Sequence, residues 1–241
     1  MNDDLSQLLS CLKLHTIAEL YDAEMAKSEK EYEPFTKLFA RLLRAEWQAR
    51  QESALAWRIK KAKLPETWTL ESFPFKQQPG VSQRQIRTLA ELDFIGRAEN
   101  IVFIGPTAVG KSGLAMGLLL KALQNGYRGI FVPAQDLFDE MYASLADRST
   151  RRLLNRLARI DVLVIDEMGY LNLKPEQTNI FFKLLEERYR HKPTIITTNL
   201  DYAEWHSFFG NPKLVDALLS RLRHHCHTIK IDGPSLRDAQ S

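Results

Sequence analysis

The chain of 241 residues contains little of what defines several protein classes. Its two cysteines, Cys11 and Cys226, are too few for a disulfide framework in a chain of this size. No apolar run reaches the roughly 20 residues that a membrane span needs, because Lys121 interrupts the longest candidate, residues 114–123. The start, Met-Asn-Asp-Asp, lacks the basic and apolar regions of a secretory signal. We therefore expect a cytoplasmic protein with no membrane partner.

A large excess of one charge is also missing, since 33 Lys and Arg residues face 30 Asp and Glu residues, for a net charge of +3. This balance by itself identifies no partner. Basic residues are nevertheless clustered in two places. Residues 41–63 contain seven basic and two acidic side chains, and residues 148–159 contain five arginines and no acidic residue.

Each basic cluster is a candidate DNA-binding surface. Arg152, Arg156 and Arg159 follow the spacing i, i+4, i+7, so a helix would present them together to the phosphates of duplex DNA. Lys60 and Lys61 are the candidates in the earlier cluster. Either cluster could equally be a solvated basic face, because runs of charge are common on protein surfaces.

The pattern of the chain changes near residue 66. Residues 31–63 contain no glycine and read as a long helix that begins near their only proline. Residues 64–80 are rich in proline and aromatic residues, and we interpret them as a linker or an arm that packs on the following domain. We predict a helical N-terminal domain at residues 1–66 and a second domain at residues 67–241.

In the second domain, short apolar strands alternate with helices. The predicted strands lie at 101–104, 129–132, 162–165, 194–198 and 227–231. The predicted helices lie at 82–94, 112–124, 134–145, 175–190 and 212–221. This alternation predicts an α/β fold in which a parallel five-stranded sheet is flanked by helices on both faces.

The most specific motif follows the first predicted strand and satisfies the pattern G-x-x-x-x-G-K-[ST]. It consists of Gly105, Pro106, Thr107, Ala108, Val109, Gly110, Lys111 and Ser112. In such a loop, backbone N–H groups and the start of the next helix bind phosphate groups. The lysine reaches the β- and γ-phosphates, and the serine hydroxyl binds Mg²⁺. The motif therefore predicts ATP and Mg²⁺ as cofactors.

Polar residues follow two further predicted strands. Asp166 and Glu167 come at the end of an apolar strand, where ligands of parallel sheets bind. Asp166 would help to hold Mg²⁺, and Glu167 would orient or deprotonate the attacking water. Asn199 follows the next strand and could hydrogen-bond the γ-phosphate or that water. Taken by itself, it could also be an ordinary turn residue.

Together these residues resemble the Walker A, Walker B and sensor 1 elements of an AAA+ ATPase. More narrowly, the layout resembles the IstB-type ATP-binding transposition helpers of insertion elements and their relative, the DnaC helicase loader. The resemblance covers essentially the whole chain. It includes the leucine-rich helical start and the sequence Asp-Gly-Pro-Ser-Leu-Arg at residues 232–237, which favours the IstB type.

The resemblance implies two catalytic arginines. Arg221 would act as a finger that reaches the ATP of a neighbouring subunit, with Arg223 as the nearby alternative, and Arg237 would be sensor 2. In the absence of the resemblance, Arg221 and Arg223 would be read as surface cations near the end of a helix. The arginine supplied by a neighbour stabilises charge on the transferred phosphoryl group and would couple ATP hydrolysis to homo-oligomer assembly.

The resemblance also implies the biological role. Such helpers multimerise on duplex DNA with ATP, and they regulate the target selection and activity of a partner transposase of the IstA type. Residues 1–66 would then serve DNA binding or assembly, and no separate lid domain is expected within residues 67–241. The alternative is a helicase loader similar to DnaC.

The phosphate motif departs from its relatives at one residue. Ala108 occupies a position that is often glycine. If that position needs a positive φ, alanine costs about 1 kcal/mol or more there. The departure bears on nucleotide affinity.

Overall fold

The computed structural model describes residues 2–169 and 171–236. These residues form two compact units that divide between Trp57 and Arg58. The first unit contains α1 (Asp3–Cys11), α2 (His15–Glu31) and most of α3 (Phe35–Ala62). Its core contains Leu9, Ile17, Leu38 and Leu42. A helical region at the start of the chain was predicted from the sequence and is confirmed.

A buried carboxylate organises this first unit. The N-cap residue of α2, Leu14, provides no side-chain hydrogen bond, so the first N–H groups of the helix need another acceptor. Glu46 of α3 supplies it, because its Oε2 accepts from the backbone N–H groups of Thr16 at 2.9 Å and Ile17 at 3.2 Å. One carboxylate thus caps α2 and joins it to α3.

The second unit is an α/β domain. Its strands are β1 (Asn100–Ile104), β2 (Gly129–Pro133), β3 (Val162–Met168), β4 (Thr194–Thr198) and β5 (Cys226–Lys230). Its other helices are α4 (Gln83–Leu89), α5 (Asp93–Gly96), α6 (Lys111–Gln124), α7 (Ala134–Ala146), α8 (Thr150–Ala158), α9 (Pro175–Arg188), α10 (Trp205–Phe209) and α11 (Pro212–His224). The predicted α/β fold with a parallel five-stranded sheet is confirmed.

All neighbouring strands run parallel, in the order β2-β3-β4-β1-β5. Because β4 lies between β1 and β3, the segments that follow these three strands emerge side by side at one edge of the sheet. We call this the carboxyl edge, and the opposite edge the amino edge. The carboxyl edge is where open parallel sheets bind their ligands.

Helices cover both faces of the sheet. One face is packed against α7, α8, α9, α10 and α11, whose apolar side chains form a single cluster with Val102, Leu163 and Ile196. Side chains alternate between faces along a strand, so the neighbours of these three residues point to the other face, where α6 contacts β1 to β4. In the described part of the chain, the helices are too short or too polar to span a bilayer.

The predicted helix at residues 82–94 is wrong in one respect, because the structure divides it into α4 and α5. Ser82 caps α4, with its Oγ accepting from the N–H of Gln85 at 3.3 Å. The chain then turns at Leu92, whose φ of 67° lies in the left-handed region and cannot continue a right-handed helix.

Candidate functional site

The predicted phosphate loop connects β1 to α6 at the carboxyl edge. Gly110 is the N-cap residue of α6 and has a φ of 94°, a conformation that glycine adopts without strain. Ala108 has a φ of 65°. This position therefore does require a positive φ, and an alanine with its Cβ is held in the left-handed region there. Because Gly110 has no side chain to cap the helix, the first N–H groups of α6 are free to bind an anion.

Two segments from distant parts of the chain hold this loop, and we call them the arm (residues 64–80) and the tail (residues 231–236). The backbone N–H of Leu236 donates to the carbonyl of Ala108 at 2.8 Å. The fully buried Gln78 of the arm donates from Nε2 to the carbonyls of Val109 at 3.2 Å and Pro234 at 3.0 Å. The arm therefore packs on the rest of the second unit, which is one of the two interpretations given for the sequence, and it contacts the loop itself.

The arm also leaves no room for a side chain at Gly110. A Cβ atom placed there would lie 2.6 Å from Cε2 of Phe73 and 3.0 Å from Cδ1 of Leu236. Phe73 is buried and its ring lies 4.8 Å from the ring of Phe75, edge to face. The aromatic residues of the arm therefore belong to the packing around the loop.

Asp166 and Glu167 lie in a β-bulge at the end of β3. Ile165 pairs with Ile196 of β4 and Met168 pairs with Thr198, so the two acidic residues together oppose the single residue Thr197. The φ of Glu167 is 58°, which turns the strand locally. As a result Asp166 is buried at 8% exposure whereas Glu167 is exposed to the site.

Thr197 contacts both acidic residues. Its hydroxyl donates to Oδ1 of Asp166 at 2.5 Å and accepts from the backbone N–H of Glu167 at 2.9 Å. From the sequence, Thr197 belonged to the segment Thr197-Thr198-Asn199 that resembles sensor 1, but only Asn199 was assigned a role. The position of Thr197 one strand away, opposite the bulge, depends on the strand register, and the sequence does not reveal that register.

Asn199 follows β4, between the phosphate loop and the acidic residues. Its Oδ1 is buried and has no hydrogen-bond partner among the described residues. A buried polar atom without a partner is costly and indicates a position where a ligand or water binds.

One cavity of about 650 Å³ connects these groups. Among its lining residues are Lys111, Ser112, Asp166, Glu167 and Asn199. Residues of the arm, including Trp68, form another part of its wall. This volume lies within the range of about 300–1,000 Å³ that is typical of small-molecule sites. The structure thus brings together eight of the predicted site residues, because Thr107, Ala108 and Gly110 also line the cavity.

The Lys111 ammonium lies inside this cavity, where Nζ donates to the carbonyls of Gly105 at 2.8 Å and Pro106 at 2.6 Å. Burial lowers the pKa of Lys111 below its ordinary value of 10.5, and the negative charges of Asp166 and Glu167 offset part of this shift. Because carbonyl oxygens only partly compensate a half-buried ammonium, an anionic ligand would be a better partner.

The donor set also fits a divalent cation of the Mg²⁺ type. Mg²⁺ prefers oxygen ligands and is held by one or two carboxylates together with phosphate oxygens. Ser112 supplies a hydroxyl, and Asp166 supplies a carboxylate whose second oxygen remains available for a ligand. The residues present therefore fit Mg²⁺ with a bound polyphosphate.

Arg221 lies away from this cavity. It lines a small cleft with Asn100 and Thr194, which begin β1 and β4, so it sits at the amino edge of the sheet. Its guanidinium makes a 3.4 Å ion pair with Glu186, and both side chains are about half exposed or more. Arg223 instead lies over the ring of Tyr202, 5.1 Å from its centroid. Arg237 lies outside the described residues.

The predicted DNA-binding arginines also lie at the amino edge. Arg152 and Arg156 are on α8, and Arg159 is its C-cap residue. They line an open depression of about 770 Å³, whose full lining is Arg128, Arg148, Arg151, Arg152, Asn155, Arg156, Arg159 and Ile160. The predicted Lys60 and Lys61 are in the last turn of α3 and do not line this depression.

Arg128 is the member of this arginine cluster that the sequence did not indicate. It precedes β2, twenty residues before the clustered arginines, and joins them because β2 pairs with β3. Asp161 fixes it in place, with Oδ2 accepting from its backbone N–H at 2.9 Å. Only the fold makes this proximity visible.

Comparison with known proteins agrees with the motifs and the fold. A family model described as IstB-like ATP binding protein matches residues 7–241. A relative from Pseudomonas aeruginosa, whose name assigns it to insertion sequence IS21 as an ATP-binding protein, is 36% identical over 234 residues. This match covers 97% of this chain and 88% of the relative.

Two solved structures have the same fold. The crystal structure of DnaI has a TM-score of 0.59 at 20% identity and covers 68% of this chain and 91% of its own. The DnaC helicase loader has a TM-score of 0.56 at 23% identity and covers 68% of this chain and 96% of its own. The parallel sheet and phosphate loop are thus those of the AAA+ P-loop fold. The resemblance seen in the sequence is confirmed, and the chain belongs to the IstB-like ATP-binding protein family of IS21-type insertion sequences.

Proposed function

We propose that this protein is an ATPase that multimerises on duplex DNA and regulates target selection and activity of a partner transposase. One observation carries the ATPase assignment. A single cavity at the carboxyl edge contains a lysine, a hydroxyl, two carboxylates and an amide with an unpartnered oxygen. These are the groups that phosphoryl transfer to water requires, because that reaction depends on positioning and charge neutralisation.

Each residue has a separate task in this proposal. Lys111 leaves the loop carbonyls and binds the β- and γ-phosphates. Ser112 and Asp166 hold Mg²⁺, which when bound neutralises charge on the phosphate oxygens. Glu167 orients or deprotonates the attacking water. Asn199 hydrogen-bonds the γ-phosphate through its amide NH₂ group, or that water through its unpartnered oxygen.

The position of Arg221 supports assembly with the ATP sites between subunits. Within its own chain Arg221 lies at the amino edge, whereas the cavity opens at the carboxyl edge. An arginine on this side of the sheet meets ATP only when it is that of another copy. Its exposed ion pair with Glu186 is worth about 0–1 kcal/mol, so little energy opposes its transfer to a new anion. Arg237 is proposed, from the family resemblance, to act on the ATP of its own subunit.

The nucleotide site is tested by replacing its lysine. We expect Lys111→Ala to abolish ATP binding and ATP-dependent assembly on duplex DNA. Lys121→Ala is the matched control, because Lys121 lies on the same helix outside the cavity. ATP affinity is measured with a fluorescent analogue, and assembly by gel filtration with and without DNA. Unchanged affinity in Lys111→Ala would refute the assignment, and DNA binding without turnover in the wild type would indicate an inert nucleotide site.

A mixing experiment tests whether Arg221 acts on a neighbouring subunit. Glu167→Gln and Arg221→Ala should each be inactive alone. Mixed assemblies contain some interfaces with an intact Glu167 facing an intact Arg221, so they should recover part of the turnover. No recovery in verified mixed assemblies would exclude Arg221 as the finger, and the same test with Arg223→Ala examines the alternative.

The arginine cluster around the depression is the proposed DNA surface. Six arginine side chains line it, from α8, from the positions next to its two ends and from the residue before β2, and guanidinium groups bind phosphates without reading sequence. We expect the affinity for DNA to fall steeply as the salt concentration rises. Each lost phosphate contact should make the negative slope of log K against log salt concentration shallower by about 1. Arg152→Ala and Arg128→Ala should do this, while the exposed Arg84 on α4 provides a control. Equal slopes for all variants would move the DNA surface elsewhere, with Lys60 and Lys61 as the next candidates.

The partner is tested by co-purification. The proposal predicts retention of the transposase encoded in the same insertion element, in the presence of ATP and DNA. Retention of a replicative helicase and not of the transposase would favour the helicase-loader alternative.

A further inference from the structure

Thr197 lies on β4, directly opposite the bulge that carries the two acidic residues. Its side chain is fully buried, and its one hydroxyl is shared between two partners. The hydroxyl proton is donated to Oδ1 of Asp166 at 2.5 Å. A lone pair on the same oxygen accepts the backbone N–H of Glu167 at 2.9 Å.

These two contacts fix different things. The bond to Asp166 sets the orientation of its carboxylate, because one oxygen is bound by Thr197 and the other is left for a ligand. The bond to Glu167 holds the backbone of a residue at a φ of 58°, where a residue with a side chain is strained. One hydroxyl therefore binds both the carboxylate of Asp166 and the backbone from which the Glu167 side chain projects.

Packing alone explains the buried side chains in the rest of β4 better than it explains the hydroxyl of Thr197. The neighbouring Ile195 and Ile196 fill buried positions with apolar side chains. A hydroxyl at such a position is retained only if it is hydrogen-bonded. The two hydrogen-bond partners of Thr197, Asp166 and Glu167, both line the cavity. The partner of Thr194, at the start of the strand, does not line it.

We infer that Thr197 is a positioning residue for ATP hydrolysis, which orients Asp166 toward the metal and Glu167 toward the water without touching either. This inference rests on the proposed ATPase function. It predicts an effect on turnover and on the contribution of Mg²⁺ to binding, with a smaller effect on the affinity for the nucleotide alone.

The experiment compares three substitutions in the full-length protein. Thr197→Val keeps the shape and removes the hydroxyl, and Thr197→Ser keeps the hydroxyl. Thr194→Val removes a buried hydroxyl from the same strand, where its partner is the guanidinium of Arg188. Circular dichroism and thermal melting establish that each variant folds, and Thr197→Ala replaces Thr197→Val if the latter does not.

Thr197→Val should lower kcat about tenfold or more, since small misplacements of catalytic groups have effects of this size, and change KM for ATP less than about threefold. Thr197→Ser should restore kcat to within about threefold of the wild type. Binding of a fluorescent ATP analogue, with Mg²⁺ and with EDTA, gives a readout independent of turnover. The gain in affinity from Mg²⁺ should shrink in Thr197→Val and not in Thr194→Val.

Wild-type kcat in Thr197→Val, or a loss of kcat equal to that in Thr194→Val, would overturn the inference. The turnover of Glu167→Gln is measured in parallel, so that a failure of the role inferred for Thr197 can be told apart from a failure of the proposed ATPase function. If Glu167→Gln is inactive while Thr197→Val is active, only the role of Thr197 is refuted. If Glu167→Gln is itself fully active, the assignment of the site is wrong.

Discussion

Replacing Ala108 by glycine should stabilise the protein. At a φ of 65°, a residue with a Cβ costs about 1–2 kcal/mol, and glycine removes that strain. Glycine also makes the unfolded chain more flexible, which offsets about 0.4–1 kcal/mol. The methyl group is partly exposed, so little apolar burial is lost. The net gain should be about 0.5–1 kcal/mol, or about 1–4 °C in Tm for a chain of this size.

Thermal and urea unfolding measure this gain in stability, and the control is an alanine-to-glycine substitution that should lower stability. Ala143 is exposed in the middle of α7, so Ala143→Gly should cost about 1 kcal/mol. The affinity of Ala108→Gly for ATP should change less than about threefold, because the tail and Gln78 hold the loop in the same conformation without ligand. A lower Tm for Ala108→Gly than for the wild type would refute the claim that alanine is strained at this position.

Two further predictions concern stability. Gln78→Leu should destabilise the protein by about 1–2 kcal/mol in urea unfolding, because the buried carbonyl of Val109 and the carbonyl of Pro234 lose their donor. Wild-type stability would show that neither hydrogen bond contributes. The hydrogen bond to Asp216 raises the pKa of His206 above 6.5, so its stabilisation is complete below pH 6.5 and lost as pH rises through the raised value. From about pH 6 to about pH 8, Tm should therefore fall more in the wild type than in Asp216→Asn, and parallel curves would refute this.

The elements of the site with a strong local signal were predictable from the sequence. The strands β1, β2 and β3 contain apolar runs, and the loop from Gly105 to Ser112 has a fixed spacing. Asp166, Glu167 and Asn199 were identified because residues that follow parallel strands meet at one edge.

The features that could not be predicted from the sequence are contacts between segments far apart in the chain. The strand order places β4 between β1 and β3, and the pairing with β4 sets Thr197 opposite the bulge. The contact of Arg128 with the arginine cluster likewise needs the pairing of β2 with β3. The left-handed turn at Leu92 has no signal in residue type, since leucine rarely adopts that conformation.

The hydrogen bonds of Gln78 with Val109 and Pro234 have a consequence for how the protein matures. Gln78 and Pro234 are separated by 156 positions, and the loop between them depends on both. During translation at about 5–20 residues per second, β1 and α6 leave the ribosome several seconds before residues 231–236 are made. Until then the strained loop lacks its partner from Leu236. A nascent chain therefore acquires the complete set of contacts around its phosphate loop only after the rest of the sheet has been synthesised.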